Sequence, residues 1–421
     1  MEIYLLNLTI NGVKNIEKTI SIDFYKKNIS NPDFDNYRVK GIFGKNGVGK
    51  TAIIKSVEIV KNVVLNRKYL IKNERNIAEL INKVSKQMEV EMEFYINDNN
   101  KLKILNHKMV IAIENDGLKI KYEHLKVKTL KNTVSKEIVQ ENGVFTIKGV
   151  EFEDDNIYLS NILSSNSFIG IFNYILNGKH KYNDLKEYIN KLIFAYYYIL
   201  TSFHDEDKYF NNLNLEQIKE NIRDIEKLEN DNKLSYDISV EKNSMGEFEK
   251  ELDSITKFLK LFSSKIKKVN YRHHSQDEDR YYLNYVIEYD DYDISLDYES
   301  MGIKNLFKMY RIIKAPFYGR IVFIDEIDLS IHEVYLEKLI ESVAEFSKGQ
   351  LIFTAHNIGL LNVLNNYKNS INFIDANNNL QKWVQKGTLN PIKSYKEGRI
   401  ENMAFNIEAY EFLEVFGEEH E

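Results

Sequence analysis

The order of hydrophobic and polar positions divides the chain by period. Residues 1–25 alternate in twos and give two strands, Tyr4–Ile10 and Thr19–Phe24, on either side of the turn-prone pair Asn11-Gly12. A third apolar run, Val39–Phe43, ends in a glycine-rich loop. From Thr51 onward, Ile53, Ile54, Val57, Val60 and Val64 follow the spacing of a helix. Between Met88 and about Asp155 the period returns to two, in short segments such as Val90–Ile96 and Leu102–Leu105, which predicts an antiparallel sheet. Helical spacing resumes over Asp184–Phe203. It appears again at Phe248, Leu252, Ile255, Leu259, Phe262 and Ile266, a helix expected to run from Glu247 to Lys268 behind the capping-box pair Ser244 and Glu247. Strands are expected at Tyr281–Tyr289, Ile294–Tyr298, Ile321–Ile324 and Leu351–Phe353, with a helix over Met301–Ile313. The tail alternates strand, helix and strand to near Trp383 and ends in a polar, acidic helical stretch. No internal repeat is visible.

Composition narrows the chemistry. With 43% hydrophobic and 12% aromatic residues, the 421-residue chain can bury a large core, so wholesale disorder is excluded. The absence of cysteine excludes a disulfide scaffold, Cys-ligated zinc, iron–sulfur clusters and thiol catalysis. A net charge of −6 argues against a globally basic nucleic-acid coat, although a local patch would survive that average. No window approaches the ~18–20 apolar residues of a membrane span, and the N-terminus lacks the basic start of a signal peptide, so the cytoplasm is the expected location.

Three segments carry the chemistry. Gly44-Lys45-Asn46-Gly47-Val48-Gly49-Lys50-Thr51 fits G-x-x-x-x-G-K-[ST] in full and lies between an apolar strand and a helix start. Its glycines let backbone N–H groups turn onto an anion at the positive end of the helix dipole. Lys50 would reach the β- and γ-phosphates, and the Thr51 hydroxyl would ligate Mg²⁺. Ile321–Ile324 then runs into Asp325 and Glu326, with Asp325 expected to hold the Mg²⁺ shell and Glu326 to polarise the attacking water. A second apolar strand leads to His356, placed to sense the γ-phosphate. The third segment, Glu299-Ser300-Met301-Gly302, puts a capping serine and a glycine at a helix start, again suited to a phosphate.

In this order, the phosphate loop, Ser-x-Gly segment, apolar-Asp-Glu strand and histidine resemble an ABC-type ATPase head, within the SMC-like and OLD-like bacterial group. Asn46, Leu329-Ser330-Ile331-His332 and Thr354-Ala355-His356-Asn357 add to the resemblance. It implies an α/β fold: a P-loop mixed sheet flanked by helices, an antiparallel β subdomain and an inserted helical lobe. Residues 1–155 would form the N-terminal half of the head, 156–270 the lobe, and 271–421 the C-terminal half, so the chain ends meet in one head. The resemblance further implies a composite site in a homodimer or higher homo-oligomer. Gly44–Thr51, Asp325, Glu326 and His356 of one protomer would bind Mg-ATP while Ser300 and Gly302 of another reach its γ-phosphate. Ser330 and His332 correspond to the dimer-facing loop. Met301 departs from the transporter-type pattern, and Gln87 is the only candidate for the family's Q-loop glutamine.

The interval from Thr51 to Asp325 is too long for a bare head and too short for the coiled arms of chromosome-maintenance proteins. The tail after His356 is too small for a nuclease domain. The chain is therefore most similar to stand-alone ATPases of abortive-infection phage defence, of the AriA or AbiL type, which act through a separate effector protein. The rival expectation is an SMC-like DNA repair ATPase with a nuclease subunit; a third is a non-hydrolysing nucleotide-binding scaffold, against which Lys50 and Glu326 argue. Tyr271–His274 with Asp277, Glu278 and Asp279 reads as a solvated hairpin before it reads as a metal site. Tyr196–Tyr198 reads as packing before base stacking, and Lys265, Lys267, Lys268 and Arg272 as a solvated helix end before a nucleic-acid contact.

Overall fold

The computed structural model describes residues 1–25, 32–99, 101–147, 150–151, 156–175, 182–203, 237–329, 331–367, 369–384 and 389–400. The hairpin β1 (Glu2–Asn11) and β2 (Ile20–Asp23) leads to β3 (Val39–Gly44), the phosphate loop and α1 (Lys50–Leu65). Two short helices, α2 (Tyr69–Lys72) and α3 (Glu74–Leu80), precede a meander: β4 (Gln87–Asp98), β5 (Lys101–Glu114), β6 (Gly117–Lys128), β7 (Val134–Glu141), β8 (Val144–Ile147) and β9 (Val150–Glu151). Helices α4 (Asn156–Ser165), α5 (Phe168–Ile175) and α6 (Asn183–Tyr198) follow, then β10 (Ile199–Ser202). Next come β11 (Asp237–Glu241), α7 (Met245–Phe262), β12 (Lys268–Gln276), β13 (Arg280–Glu288), β14 (Asp293–Ser295) and α8 (Met301–Phe317). The chain returns through β15 (Ile321–Ile324), α9 (Glu333–Phe346), β16 (Gln350–Ala355), α10 (Leu360–Leu364), β17 (Ile371–Ile374), β18 (Leu380–Lys382) and α11 (Pro391–Lys396).

Three sheets result. An eight-stranded antiparallel sheet has the order β2-β1-β4-β5-β6-β7-β8-β9. A six-stranded mixed sheet, β10-β15-β16-β3-β17-β18, is parallel except at β18. The third sheet centres on β13, which pairs β11, β12 and β14. The inner strands of the mixed sheet are buried on both faces, which is why β15 and most of β16 read as unbroken apolar runs. Ile42, Phe323, Ile352 and Ile374 face α1, α5, α6 and the antiparallel sheet. Phe43, Val322, Phe353 and Phe373 face the other way, onto α7, α8, α9 and α10. The α/β class and the antiparallel subdomain expected from the motifs are thus both present.

Several element limits differ from the sequence pattern. The helix expected to reach Phe203 stops at Tyr198, and Ile199–Ser202 pairs in parallel with Ile321–Ile324 as the edge of the mixed sheet. The apolar, partly β-branched run Ile199-Leu200-Thr201 satisfies either period, and the free strand edge decides it. The segment 156–270 is therefore not helical throughout. Its helices α4–α6 share a core with α1, while α7 packs with α8 and β12. Helix α7 ends at Phe262, and Lys268 already belongs to β12; Ser244 precedes α7 without a side-chain capping bond. Strand β14 stops at Ser295, and Leu296–Tyr298 is a 3₁₀ turn. The acidic end at 401–421 lies outside the described residues.

Two buried polar clusters join the layers. Glu123 accepts from Phe168 N (2.7 Å), lies 3.0 Å from His107 Nε2 and takes a bond from the Ser167 hydroxyl, while His107 Nδ1 meets Tyr196 OH at 2.5 Å. These bonds fix α5 and α6 to β5 and β6. At the first residue of β16, the Gln350 amide bonds both backbone groups of Leu5, accepting from its N–H (2.7 Å) and donating to its C=O (2.9 Å). Gln350 is buried and thereby staples β1 of the antiparallel sheet to the mixed sheet. Replacing Gln350 with Leu leaves two buried backbone groups unpaired, a loss of roughly 2–4 kcal/mol. Chemical denaturation should register this as a lowered midpoint; an unchanged midpoint would show that the staple is dispensable.

Candidate functional site

The phosphate loop is shaped from outside. Gly47 and Gly49 hold φ of +79° and +102°, a region closed to most side chains. Asn15, from the turn after β1, donates to the Gly47 carbonyl at 2.6 Å, and Asn378, from the β17–β18 turn, donates to the Val48 carbonyl at 2.9 Å. With two carbonyls drawn outward, the loop's N–H groups are left for an anion. Asn378 is itself fixed by Asp375, whose carboxylate accepts from Asn377 N and Asn379 N, both at 2.8 Å.

Lys50 is buried at the start of α1, its ammonium donating to the carbonyls of Gly44 (2.8 Å) and Lys45 (3.0 Å). Burial lowers its pKa, and the charges of Asp325, Glu326 and Asp328 oppose that shift. The lysine is thus held over the first half of the loop, where a nucleotide's terminal phosphates would replace the two carbonyls.

Register brings the remaining groups together. Ala355 lies opposite Phe43, and Ile324 opposite Phe353, so Gly44, Asp325 and His356 leave one edge of the sheet side by side. The Thr354 hydroxyl donates to Asp325 Oδ1 at 2.5 Å and accepts from Glu326 N at 2.8 Å. Glu326 adopts φ +52°, an uncommon backbone state for a residue with a side chain, and its carboxylate lies 3.5 Å from His356 Nε2. Asp328 Oδ2 accepts from His356 N (2.9 Å) and Asn357 N (2.5 Å), clamping the histidine segment to the acidic turn. Its buried Oδ1 has no hydrogen-bond partner among the described residues.

Asp325 is buried with one carboxylate oxygen committed to Thr354, and Thr51 opens α1 behind Lys50, a donor set that suits Mg²⁺ held jointly with phosphate oxygens. Among the described residues no group of three or more His, Asp or Glu would hold a metal unaided. A cleft of about 610 Å³ opens beside the loop, lined by Gly44, Lys45, Asn46, His356, Ile358, Tyr395 and Lys396.

Ser300 and Gly302 are not among the residues that line this cleft. Ser300 caps α8, its Oγ accepting from Ile303 N at 3.4 Å, and a Cβ placed on Gly302 would meet that same Oγ at 4.0 Å. Its flanking residues Tyr298 and Met301 are 81% and 62% exposed. Ser330 lies outside the described residues, and His332 precedes α9 with its ring against Tyr335. Gln87 opens β4, half-buried, with its carbonyl against Gly12, and does not line the cleft.

The weaker sequence constellations resolve into structure. Asp277 closes the β12–β13 turn by accepting from Asp279 N (3.0 Å), Arg280 N (2.7 Å) and Tyr282 OH (2.9 Å). Tyr196 is core, and the carbonyls of Tyr197 and Tyr198 accept from the buried Arg320. In the basic stretch, Arg272 pairs with Asp293. No helix among the described residues is long and apolar enough to cross a membrane.

Comparison with known proteins gives a partial family match and distant likenesses to solved structures. Residues 179–362, under half of the chain, match the family model described as "AAA domain, putative AbiEii toxin, Type IV TA system". That span takes in α8, the acidic turn and His356, while the phosphate loop lies outside it. No curated protein sequence matches the chain. Among solved structures, the recombination mediator protein RecF with ATP is 12% identical, covers 91% of this chain and 99% of its own, and has a TM-score of 0.39. A likeness so distant adds nothing to the architecture.

The Thr354 hydroxyl is the support on which both acids of the turn rest. If the cleft turns over Mg-ATP, Thr354→Val should lower that turnover roughly 10–100-fold, as expected for loss of an outer-shell partner, with nucleotide affinity little changed. Steady-state kinetics alongside equilibrium nucleotide binding separates the two; full turnover in the variant would remove Thr354 from this account.

Proposed function

We propose that the protein is a Mg-dependent ATPase whose sites are completed by a second copy of the chain. What carries this reading is the placement of Lys50, Asp325, Glu326 and His356 at one sheet edge, with the Glu326 carboxylate 3.5 Å from His356. Loop N–H groups and Lys50 bind the phosphates, Lys50 exchanging its two carbonyl partners for phosphate oxygens. Thr51 and Asp325 would hold Mg²⁺, which when bound would offset negative charge on the phosphates. Glu326 orients a water in line with the γ-phosphorus and draws on its proton; His356 donates to the γ-phosphate and keeps Glu326 aligned. The exposed Tyr298, Ser300 and Met301 at the start of α8, with Leu329 exposed after the acidic turn, supply the face that a second head covers.

On this reading the chain is a nucleotide-driven switch, closing as a homodimer on ATP and resetting on hydrolysis. The fragment match to a family whose description names a toxin system supports a role beside a separate effector in antiphage abortive infection. In the Mg-ATP assay, Lys50→Ala should abolish nucleotide binding. Glu326→Gln should bind ATP normally, hydrolyse it at least ~100-fold more slowly and accumulate as a closed dimer in size-exclusion chromatography. Hydrolysis by Glu326→Gln at the wild-type rate would remove Glu326 from the catalytic role.

A further inference from the structure

One wall of the cleft beside the phosphate loop belongs to none of the nucleotide motifs. Gly44, Lys45 and Asn46 come from the loop, and His356 and Ile358 from the segment after β16, but Tyr395 and Lys396 come from α11 near the end of the described chain. Helix α11 is firmly seated. Asn390 caps it by accepting from Lys393 N at 3.1 Å, and Pro391 occupies its first turn. The buried Tyr395 ring stacks on Phe373 at 5.6 Å between centroids. Phe373 lies on β17, which pairs with β3, the strand that delivers Gly44. The same packing therefore places Lys396 and the loop relative to each other.

The cleft suits an anion. Among the described residues no carboxylate lines it, and two lysines do. The acid next to Lys396, Glu397, is taken by Lys393 (3.9 Å) and Arg399 (2.7 Å). The cleft also lies at a particular end of the nucleotide. Lys50 holds its ammonium at Gly44 and Lys45, so the phosphates it serves, β and γ, fall at this half of the loop. His356 lines the same cleft.

Resting on the ATPase reading, we infer that Lys396 supplies a second cation, from within the same chain, to the terminal phosphate of a bound nucleoside triphosphate. The site then distinguishes a triphosphate from a diphosphate before any second copy closes over it. Lys50 spans both phosphates and contributes to either nucleotide; Lys396 contributes only when the third phosphate is present.

The test is calorimetric titration of the full chain with Mg-bound AMP-PNP, a non-hydrolysable triphosphate, and with Mg-ADP, in wild type, Lys396→Ala and Lys396→Arg. Lys396→Ala should weaken the triphosphate about tenfold and leave the diphosphate within about twofold, the effect of one charge-assisted contact, and Lys396→Arg should restore most of the difference. Equal weakening of both nucleotides, or of neither, overturns the inference and leaves the ATPase reading standing. Wild-type protein that binds neither nucleotide overturns the ATPase reading, and this inference falls with it.

Discussion

Everything at the nucleotide cleft hangs from the parallel pairing of three short strands, β3, β16 and β15. Their side chains are buried on both faces, in two core clusters that meet at the sheet. A slip of one residue would exchange the faces of a whole strand, sending Phe43 and Phe353 into the layer built for Ile42 and Ile352. The register is thus held by packing at many positions at once. Its by-product is that Gly44, Asp325 and His356 emerge together, which no local property of any of the three segments would produce.

Against that rigid frame, the site accepts local costs. Among the described residues, Glu326 sits in the left-handed region, Lys50 is buried with only backbone carbonyls as direct partners, and Asp328 keeps one carboxylate oxygen unpaired. Each would be destabilising alone. They persist because Thr354 and Asp328 tie the acidic turn to the end of β16, and because Asn15 and Asn378 brace the loop from two directions. Polar groups under strain or without partners, set on an overdetermined scaffold, are what a site that rearranges around a charged substrate requires. Lys50 illustrates this: its carbonyl partners keep it in place and are weak enough as ligands to be exchanged for phosphate.

What the sequence disclosed, it disclosed through local constraints. The glycines, lysine and threonine of the loop must be neighbours, and an apolar strand ending in Asp325-Glu326 is a contiguous signal, so both were legible. The mixed sheet and antiparallel subdomain were legible through period and motif order. The identity of β10 was not, because Ile199–Ser202 fits a helix or a strand until the free edge of β15 is known. Asn15, Asn378, Asp328, Tyr395 and Lys396 were missed for a related reason. Each is an ordinary residue in its own segment and acquires a role only from what the fold sets against it. Asp328, three residues beyond Asp325 in an acidic turn, came nearest to a sequence signal.

The Ser300 helix start, exposed and absent from the lining of its own chain's cleft, leads to the central claim that one chain's phosphate loop works with another chain's Ser300. The most direct measurement is Mg-ATP hydrolysis by an equimolar mixture of two variants, Lys50→Ala and Ser300→Arg, each assayed first alone. Each should be inactive by itself, and the mixture should regain activity, because a mixed dimer holds one intact loop facing one intact serine. A Ser300→Arg chain as active as wild type, or a mixture as inert as its parts, would contradict the account.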